Sequence, residues 1–126
     1  MSAELVINDR ELGAVGVDSL ADHLGALVPV ARSEIWLTHS SGSSLCILKS
    51  GDVAMLMLLR GEGDAGLVSR SSDQSQEGSC EFTLSNGQVD EYPSTWTVPF
   101  QEARRAAEHF WSSGTPAPFV TWHAAV

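Results

Sequence analysis

The feature that most constrains the fold is the segment 53–60, in which seven consecutive apolar residues precede Arg60. A strand with apolar residues on both of its alternating faces is typical of a sheet that is covered on both sides, because each face then needs an apolar layer against it. A buried helix would also fit this composition. The segment predicts the central strand of a sheet.

Shorter apolar or alternating patterns predict further strands on either side of this segment. Asn86-Gly87 predicts a tight type I′ turn between the predicted strands 81–85 and 88–92, because both positions of such a turn need a positive φ and these residue types adopt it readily. A polar, serine-rich loop separates the predicted strands 34–38 and 45–49, which should form a hairpin. The predicted strands are residues 34–38, 45–49, 67–70, 81–85, 88–92 and 119–122.

Two segments carry the periodicity of amphipathic helices. In residues 18–28, leucines recur at helical spacing before Pro29. In residues 99–112, five apolar residues share one face, and Gly114 supplies the stop. Those five residues are Ala103, Ala106, Ala107, Phe110 and Trp111.

The chain should therefore fold as one α+β domain, 1–126, with a mostly antiparallel β-sheet packed against two helices. A length of 126 residues is enough to bury one real core without disulfides or metals. Trp36, Trp111 and Trp122 fall on predicted inward faces and are expected in that core.

The net charge narrows the choice of partner. The chain has 7 Lys and Arg against 16 Asp and Glu, a formal charge of -9. Binding to nucleic acid or to an anionic membrane rests on basic residues that neutralise phosphates, so neither is expected. A cationic protein partner fits better, although acidity also serves solubility alone.

The cysteines, the first residues and the lengths of the apolar runs indicate the compartment and the need for a cofactor. Cys46 and Cys80 form no closely spaced pair, the first residues do not have the pattern of a secretory signal, and no apolar run approaches a membrane span. We expect a cytoplasmic protein without a cofactor.

Motifs that could carry catalysis are weak. Residues 61–66 match the pattern G-x-G-x-x-G, but a β-like segment follows where a phosphate site needs a helix, and Glu62 and Asp64 would repel phosphate. The four histidines lie on separate elements, and the serines near His39 lack a nucleophile elbow. No catalytic, cofactor-binding or metal-binding residue is nominated, and we expect no enzyme.

Acidic residues are concentrated between Gly61 and Tyr92. This segment holds seven acids against one base, Arg70, and so contains two thirds of the net charge. It is either a solvated loop region, most mobile at residues 70–78, or a surface for a cationic partner with aromatic anchors beside it. The candidate partner-binding residues are Glu62, Asp64, Asp73, Glu77, Asp90, Glu91, Tyr92 and Trp96.

The order of these elements resembles the first-numbered family of immunity proteins from bacterial polymorphic toxin systems. The resemblance covers residues 18–122. Its strongest part is Val98-Pro99, the following alanine-rich helix with Phe110 and Trp111, and a final strand ending in Trp122. Gly114 and Pro116, between that helix and that strand, also belong to the strongest part. The other matching residues are Asp18-Ser19-Leu20, Leu37-Thr38, Gly42, Ile47, Asp52-Val53-Ala54 and Val68-Ser69.

This resemblance implies an inhibitor that binds one toxin domain and catalyses nothing. The toxins of such systems are often nucleic-acid deaminases, here a cytidine deaminase, and the inhibitor would cover the cationic substrate cleft as a monomer in a 1:1 complex. The segment 70–92 has no counterpart in the resemblance.

Two other classes stay open. An acidic secretion chaperone for an effector protein would form a dimer through an apolar helix or strand, although the helix at 99–112 needs its apolar face for the core. A small-molecule enzyme of α+β fold would need polar groups that converge in a pocket.

Overall fold

The computed structural model describes residues 4–61 and 63–124. Its helices are α1 (Val17–Ala26) and α2 (Phe100–Ser113). Its strands are β1 (Glu4–Ile7), β2 (Arg10–Ala14), β3 (Arg32–Thr38), β4 (Ser44–Ser50), β5 (Val53–Leu59), β6 (Leu67–Arg70), β7 (Ser79–Thr83), β8 (Val89–Pro93), β9 (Val98–Pro99) and β10 (Thr121–Ala124). This is the predicted α+β class, a single small domain with a mostly antiparallel sheet and two helices.

Eight strands form the main sheet, in the order β10-β6-β5-β4-β3-β1-β2, with β9 also paired to β5. One edge of β5 is shared, since β9 pairs at Val53 and Ala54 and β6 pairs at Met57 and Leu58. Ser69 closes the gap between them: its hydroxyl accepts a hydrogen bond from the Leu56 N–H at 3.0 Å and donates one to the Trp96 carbonyl at 2.7 Å. The strands β7 and β8 pair only with each other and form a separate two-stranded ribbon.

The two helices cover one face of the main sheet. Leu45 and Ile47 of β4 and Leu56 of β5 point into this face, where they share one cluster with the buried residues of both helices. The apolar residues of α2 that the sequence assigned to the core are all buried here. We call this cluster of nineteen buried residues the helix-face core.

The ribbon covers the opposite face. Cys46, Leu48, Met55, Val68 and Phe82 are buried there, and we call them the ribbon cluster. Because β4 and β5 supply buried side chains to both clusters, the expectation of a central strand covered on both faces is confirmed.

An N-terminal hairpin, β1–β2, was missing from the predicted strands. Its two-residue turn, Asn8-Asp9, has φ values of 50° and 66°, the combination that a type I′ turn requires. Asn86-Gly87 does not form the predicted type I′ turn, because Gly87 has a positive φ of 90° but Asn86 does not.

The connection between β7 and β8 is instead a three-residue loop. The Leu84 N–H donates to the Gln88 carbonyl at 2.8 Å, and the Gly87 N–H donates to the Leu84 carbonyl at 2.9 Å. This is a type I turn followed by a left-handed glycine, the usual form of a three-residue hairpin loop.

The stop of α2 at Gly114 is confirmed. Gly114 has φ 70°, and its N–H donates to the Phe110 carbonyl at 2.7 Å. A Cβ at this position would lie 2.7 Å from His39 Nδ1, so a side chain would be strained by both its conformation and its surroundings. Neither helix of the described residues is long and apolar enough to cross a membrane.

Candidate functional site

The ribbon presents an acidic outer side. Its strands alternate, so that Cys80, Phe82 and Tyr92 point towards the main sheet, whereas Glu81 and Glu91 point outward and are exposed. The register places Glu81 directly opposite Glu91. We call the outward side with these two carboxylates the acidic face.

Two like charges in this position work against folding. Side chains directly opposite each other across an antiparallel pair have Cβ atoms about 5 Å apart, and like charges there destabilise the pair. In the described parts of the chain, the single ion pair within 4 Å joins Arg60 to Asp64, so neither glutamate is neutralised by one. The acidic face therefore keeps its charge exposed at some cost in stability.

An open groove of about 710 Å³ borders the acidic face, where the ribbon meets the ends of β3 and β4. Glu81 and Glu91 line it together with one base, Arg32. The Arg32 guanidinium donates a hydrogen bond to the Thr83 hydroxyl at 3.0 Å and so ties the ribbon to β3. The groove could accept a cationic side chain between the two carboxylates.

Glu34 fastens the turn between β7 and β8 to β3, at the same end of the ribbon as the Arg32 contact. Its carboxylate accepts hydrogen bonds from the backbone N–H and the hydroxyl of Ser85, both at 2.9 Å, and from the Trp36 indole at 2.7 Å. Partial burial raises the pKa of Glu34, but the hydrogen bonds from Ser85 and Trp36 outweigh it, so this pKa lies below its ordinary value. Glu34 thus acts as a charged clamp between sheet and ribbon.

The two predicted aromatic anchors lie in a row of rings beneath the ribbon. Tyr92 stacks on Trp96 with ring centres 5.8 Å apart, and Trp96 contacts His123 at 4.9 Å. Both Tyr92 and Trp96 are half-buried and pack against the ribbon cluster. In this structure the two rings fill space between ribbon and sheet.

Three of the predicted acidic contacts are held by local hydrogen bonds. Asp64 accepts two from the Arg60 guanidinium, at 2.9 and 3.0 Å, and one from the Arg60 backbone, which together hold its pKa well below the usual range. Asp73 accepts from the hydroxyl and the backbone N–H of Ser75, which lowers its pKa. Asp90 accepts from the Gln88 amide at 2.7 Å and from the Tyr92 hydroxyl at 3.3 Å.

The remaining predicted contacts differ in their placement. Glu91 lies on the acidic face, and Glu77 is exposed in the loop before β7. Glu62 lies outside the described residues. Hydrogen bonds link residues within the segment 70–78. The Gln74 side chain accepts one from the Arg70 guanidinium at 2.7 Å and donates one to the Ser71 carbonyl at 2.6 Å.

Glu81 belongs to the site but was not among the predicted contacts. A two-residue turn at Asn86-Gly87 would have placed Glu81 opposite Tyr92, whereas the three-residue loop places it opposite Glu91. The alternation of residues 79–83 shows Glu81 on the outward side, but only the correct turn type reveals that the two glutamates face each other.

Three features of the structure bear on the motifs that were weighed for catalysis in the sequence. The G-x-G-x-x-G segment leads into β6 rather than a helix. Burial, together with the charge of Glu34, raises the pKa of the Cys46 thiol, so this thiol stays protonated. Within residues 4–61 and 63–124, no three His, Cys, Asp or Glu side chains are placed to hold a metal ion.

No protein-family model matches the chain, and no curated protein matches it. The resemblance to the immunity-protein family therefore stays a prediction that rests on the residues quoted for it.

Proposed function

We propose that this protein is an immunity protein that binds a bacterial toxin domain and neutralises it by covering a cationic substrate cleft. The toxin is of the nucleic-acid deaminase type, with cytidine as the base that it modifies. The complex has one copy of each protein and forms in the cytoplasm. Inhibition needs no catalysis by the immunity protein, only occupancy of the cleft.

The observation that carries this proposal is the opposition of Glu81 and Glu91 on the acidic face. Both side chains are exposed, and their repulsion disfavours the ribbon by about 0.2–1 kcal/mol. A cationic group that enters the adjoining groove removes this repulsion and gains two charge-assisted contacts. The bound state thus recovers a cost that the free protein carries.

The surrounding charge supports the same partner. Clefts that track nucleic acid are lined by basic residues, because they bind the phosphate backbone. A patch of excess negative charge accelerates encounter with such a cleft, with a strong dependence on ionic strength. The segment 61–92, which holds two thirds of the net charge, contains all of the ribbon except Pro93.

The chaperone alternative needs an apolar surface that α2 does not provide. Ala103, Ala106, Phe110 and Trp111 are buried in the helix-face core, so they leave no seam for a helix-mediated dimer. We therefore expect the free protein to be a monomer.

Co-expression tests the proposal. The protein is produced in bacteria together with the toxin domain encoded beside its gene, and growth is followed with and without it. We expect rescue of growth and a 1:1 complex by size-exclusion chromatography with light scattering. Absence of both would contradict the proposal, and a stable dimer of the protein alone that holds an unfolded effector segment would favour the chaperone.

A further inference from the structure

A second cavity, of about 290 Å³, lies on the helix face of the sheet, opposite the ribbon. It opens between the end of α1 and the first turn of α2. Two basic side chains, Lys49 and Arg104, line it beside Val28, Phe100 and the exposed Asp52. In a chain of net charge -9, two cations in one cavity are an unusual concentration.

Lys49 is a buried cation that forms no ion pair among the described residues. It lies in β4, and only 2% of its surface is exposed. Its ammonium donates to the carbonyls of Val30 and Gly51, the latter at 2.6 Å, and lies 5.0 Å from the centre of the Phe100 ring. These carbonyls use two of its three N–H donors. Buried charges are ordinarily paired with an opposite charge, and the described residues place no carboxylate within 4 Å of this one.

Arg104 supplies a second positive charge to the same cavity. Its Nε is buried and has no hydrogen-bond partner in the described structure. The guanidinium lies against α1 at Gly25, where an added Cβ would be 3.4 Å from Nη2 of Arg104. Asp52 also lines the cavity, yet among the residues described it forms no ion pair with Arg104 or Lys49. The guanidinium therefore has no charged partner among the described residues, and any donor that a ligand reaches is an Nη group, since Nε is inaccessible.

The start of α2 adds to this preference for negative charge. Pro99 is the N-cap and offers no side chain that could accept from the first-turn N–H groups. The Phe100 N–H donates to the Asp52 carbonyl at 2.8 Å, and the first turn also carries Glu102. The N-terminus of a helix carries a partial positive charge and favours anions. Two cationic side chains and the helix start thus converge on one cavity. Its remaining lining combines the apolar Val28, Pro99 and Phe100 with Gly51, Gln101 and one carboxylate, that of Asp52.

We infer that this cavity binds a carboxylate group with a short hydrocarbon chain. The carboxylate would lie between Arg104 and the remaining donor of Lys49, and the hydrocarbon part against Val28 and Phe100. An inorganic anion would leave the apolar walls uncovered. The volume, near the lower end of ligand pockets, fits a small acid or the carboxylate end of a peptide. This site has different charged residues from the acidic face, although Gly51 lines both the cavity and the groove that borders that face.

The test is a titration of the ¹⁵N-labelled protein, followed by NMR, with 3-methylbutanoate and with an acetylated dipeptide that ends in leucine. We expect saturable shifts centred on the amides of Gly51 and Gln101. Binding of the free acid alone identifies a small metabolite-like ligand, and binding of the dipeptide identifies a chain end. The uncharged amide of the same acid should not bind.

Variants separate a built site from general charge attraction. Arg104→Gln should weaken binding about tenfold, because it removes a charge-assisted contact. Arg105→Gln, on the next residue of α2, makes the same change of net charge outside the cavity, where Arg105 lies 4.8 Å from the Phe119 ring, and should bind normally. Lys49→Met should also bind weakly if it folds, but Arg104→Gln decides. Equal binding by the two arginine variants, or shifts that do not saturate, would overturn the inference.

Discussion

One face of the main sheet is sealed by two helices over nineteen buried residues, whereas the other is covered by a two-stranded ribbon over five. The helix-face core includes buried residues of α2, the longer of the two described helices, and of the neighbouring strands β3, β4 and β5. The ribbon shares no backbone ladder with the sheet and is held by side chains at Arg32, Glu34 and Phe82.

This difference separates stability from recognition within one small domain. Burial of apolar surface is the main favourable term in folding, so the helix-face core should set the global stability. A ribbon with few buried contacts can open locally without unfolding the rest. Its outer side can then carry unfavourable charge pairs, such as Glu81 opposite Glu91, at limited cost to the fold.

Removal of one buried aromatic ring on each face of the sheet should show most strongly that the two faces contribute differently to global stability. Phe110→Ala deletes a fully buried ring of the helix-face core and should lower the free energy of unfolding by about 3–5 kcal/mol. Urea denaturation followed by far-UV circular dichroism measures it.

Phe82→Ala is the matched change on the ribbon side, where the ring is equally buried. We expect a global loss of at most about 2 kcal/mol, because the ribbon's contacts can be lost while the main sheet stays folded. Hydrogen exchange should accelerate in β7 and β8 but not in β4. Equal global losses for the two variants would break the distinction between the faces.

Loss of the Glu34 clamp should have an intermediate effect. Glu34→Ala leaves the Trp36 indole and the Ser85 N–H without their acceptor, and we expect a loss of about 1–2 kcal/mol by urea denaturation. Glu11→Ala, on the exposed edge strand β2, is the control and should change stability by less than about 0.5 kcal/mol.

The Glu34 contribution should also depend on pH with a defined sign. Its pKa is lowered in the folded state, so the advantage of the wild type over Glu34→Ala is complete above the unfolded pKa of about 4.3. It should decline as the pH falls through the lower folded pKa. An advantage that grows on acidification would contradict the clamp.

His123 should give a smaller pH effect, close to neutrality. Burial of the ring and the nearby charge of Arg70 lower its pKa, and although the Val68 backbone opposes this in part, neither ring nitrogen makes a well-formed hydrogen bond in the described structure. The unfolded state therefore binds a proton first, and stability should fall as the pH drops below about 6.5.

His123→Phe keeps the ring against Trp96 but cannot titrate. Thermal unfolding at pH 7 and pH 5.5 should show a smaller decrease for this variant than for the wild type. Arg70→Gln should also reduce the decrease, since it removes one cause of the lowered pKa. Identical decreases in all three proteins would exclude His123 as the source.

Glycine substitutions in the two hairpin turns should give the smallest changes in stability. Asp9→Gly should stabilise the protein by about 0.5 kcal/mol, because glycine adopts the positive φ of this position without steric cost. Asn86→Gly should give no gain, since Asn86 does not have a positive φ and glycine adds freedom to the unfolded chain. Thermal unfolding of both variants measures the difference. A gain from Asn86→Gly would contradict the turn assignment.

Much of this architecture can be predicted from the sequence because apolar periodicity decides it. The segment 53–60 indicates a strand covered on both sides, and the spacing of Ala103, Ala106 and Phe110 indicates the buried face of α2. These patterns reflect burial, which local sequence records directly. The final strand begins two residues later than predicted, at Thr121.

Other features depend on geometry that a short motif does not determine. Asn86-Gly87 fits two kinds of turn, and the choice between them shifts every pair of β7 and β8 by one residue. Asn8-Asp9 forms a type I′ turn without the glycine that usually marks one. The hydrogen bonds that hold Asp64, Asp73 and Asp90 also require coordinates, because an acidic residue in the sequence does not show whether its charge is free.

The most direct test of the account is the rate of association with the toxin domain that the rescue experiment recovers. Glu81→Gln with Glu91→Gln removes the acidic face, and Glu4→Gln with Glu11→Gln removes the same charge from the exposed hairpin β1–β2. At low salt, the first pair should slow association about tenfold and flatten its salt dependence, while stability stays equal or rises slightly because the like-charge repulsion is gone. The second pair should associate almost as fast as the wild type. Equal rates for both double variants would contradict a docking surface on the ribbon.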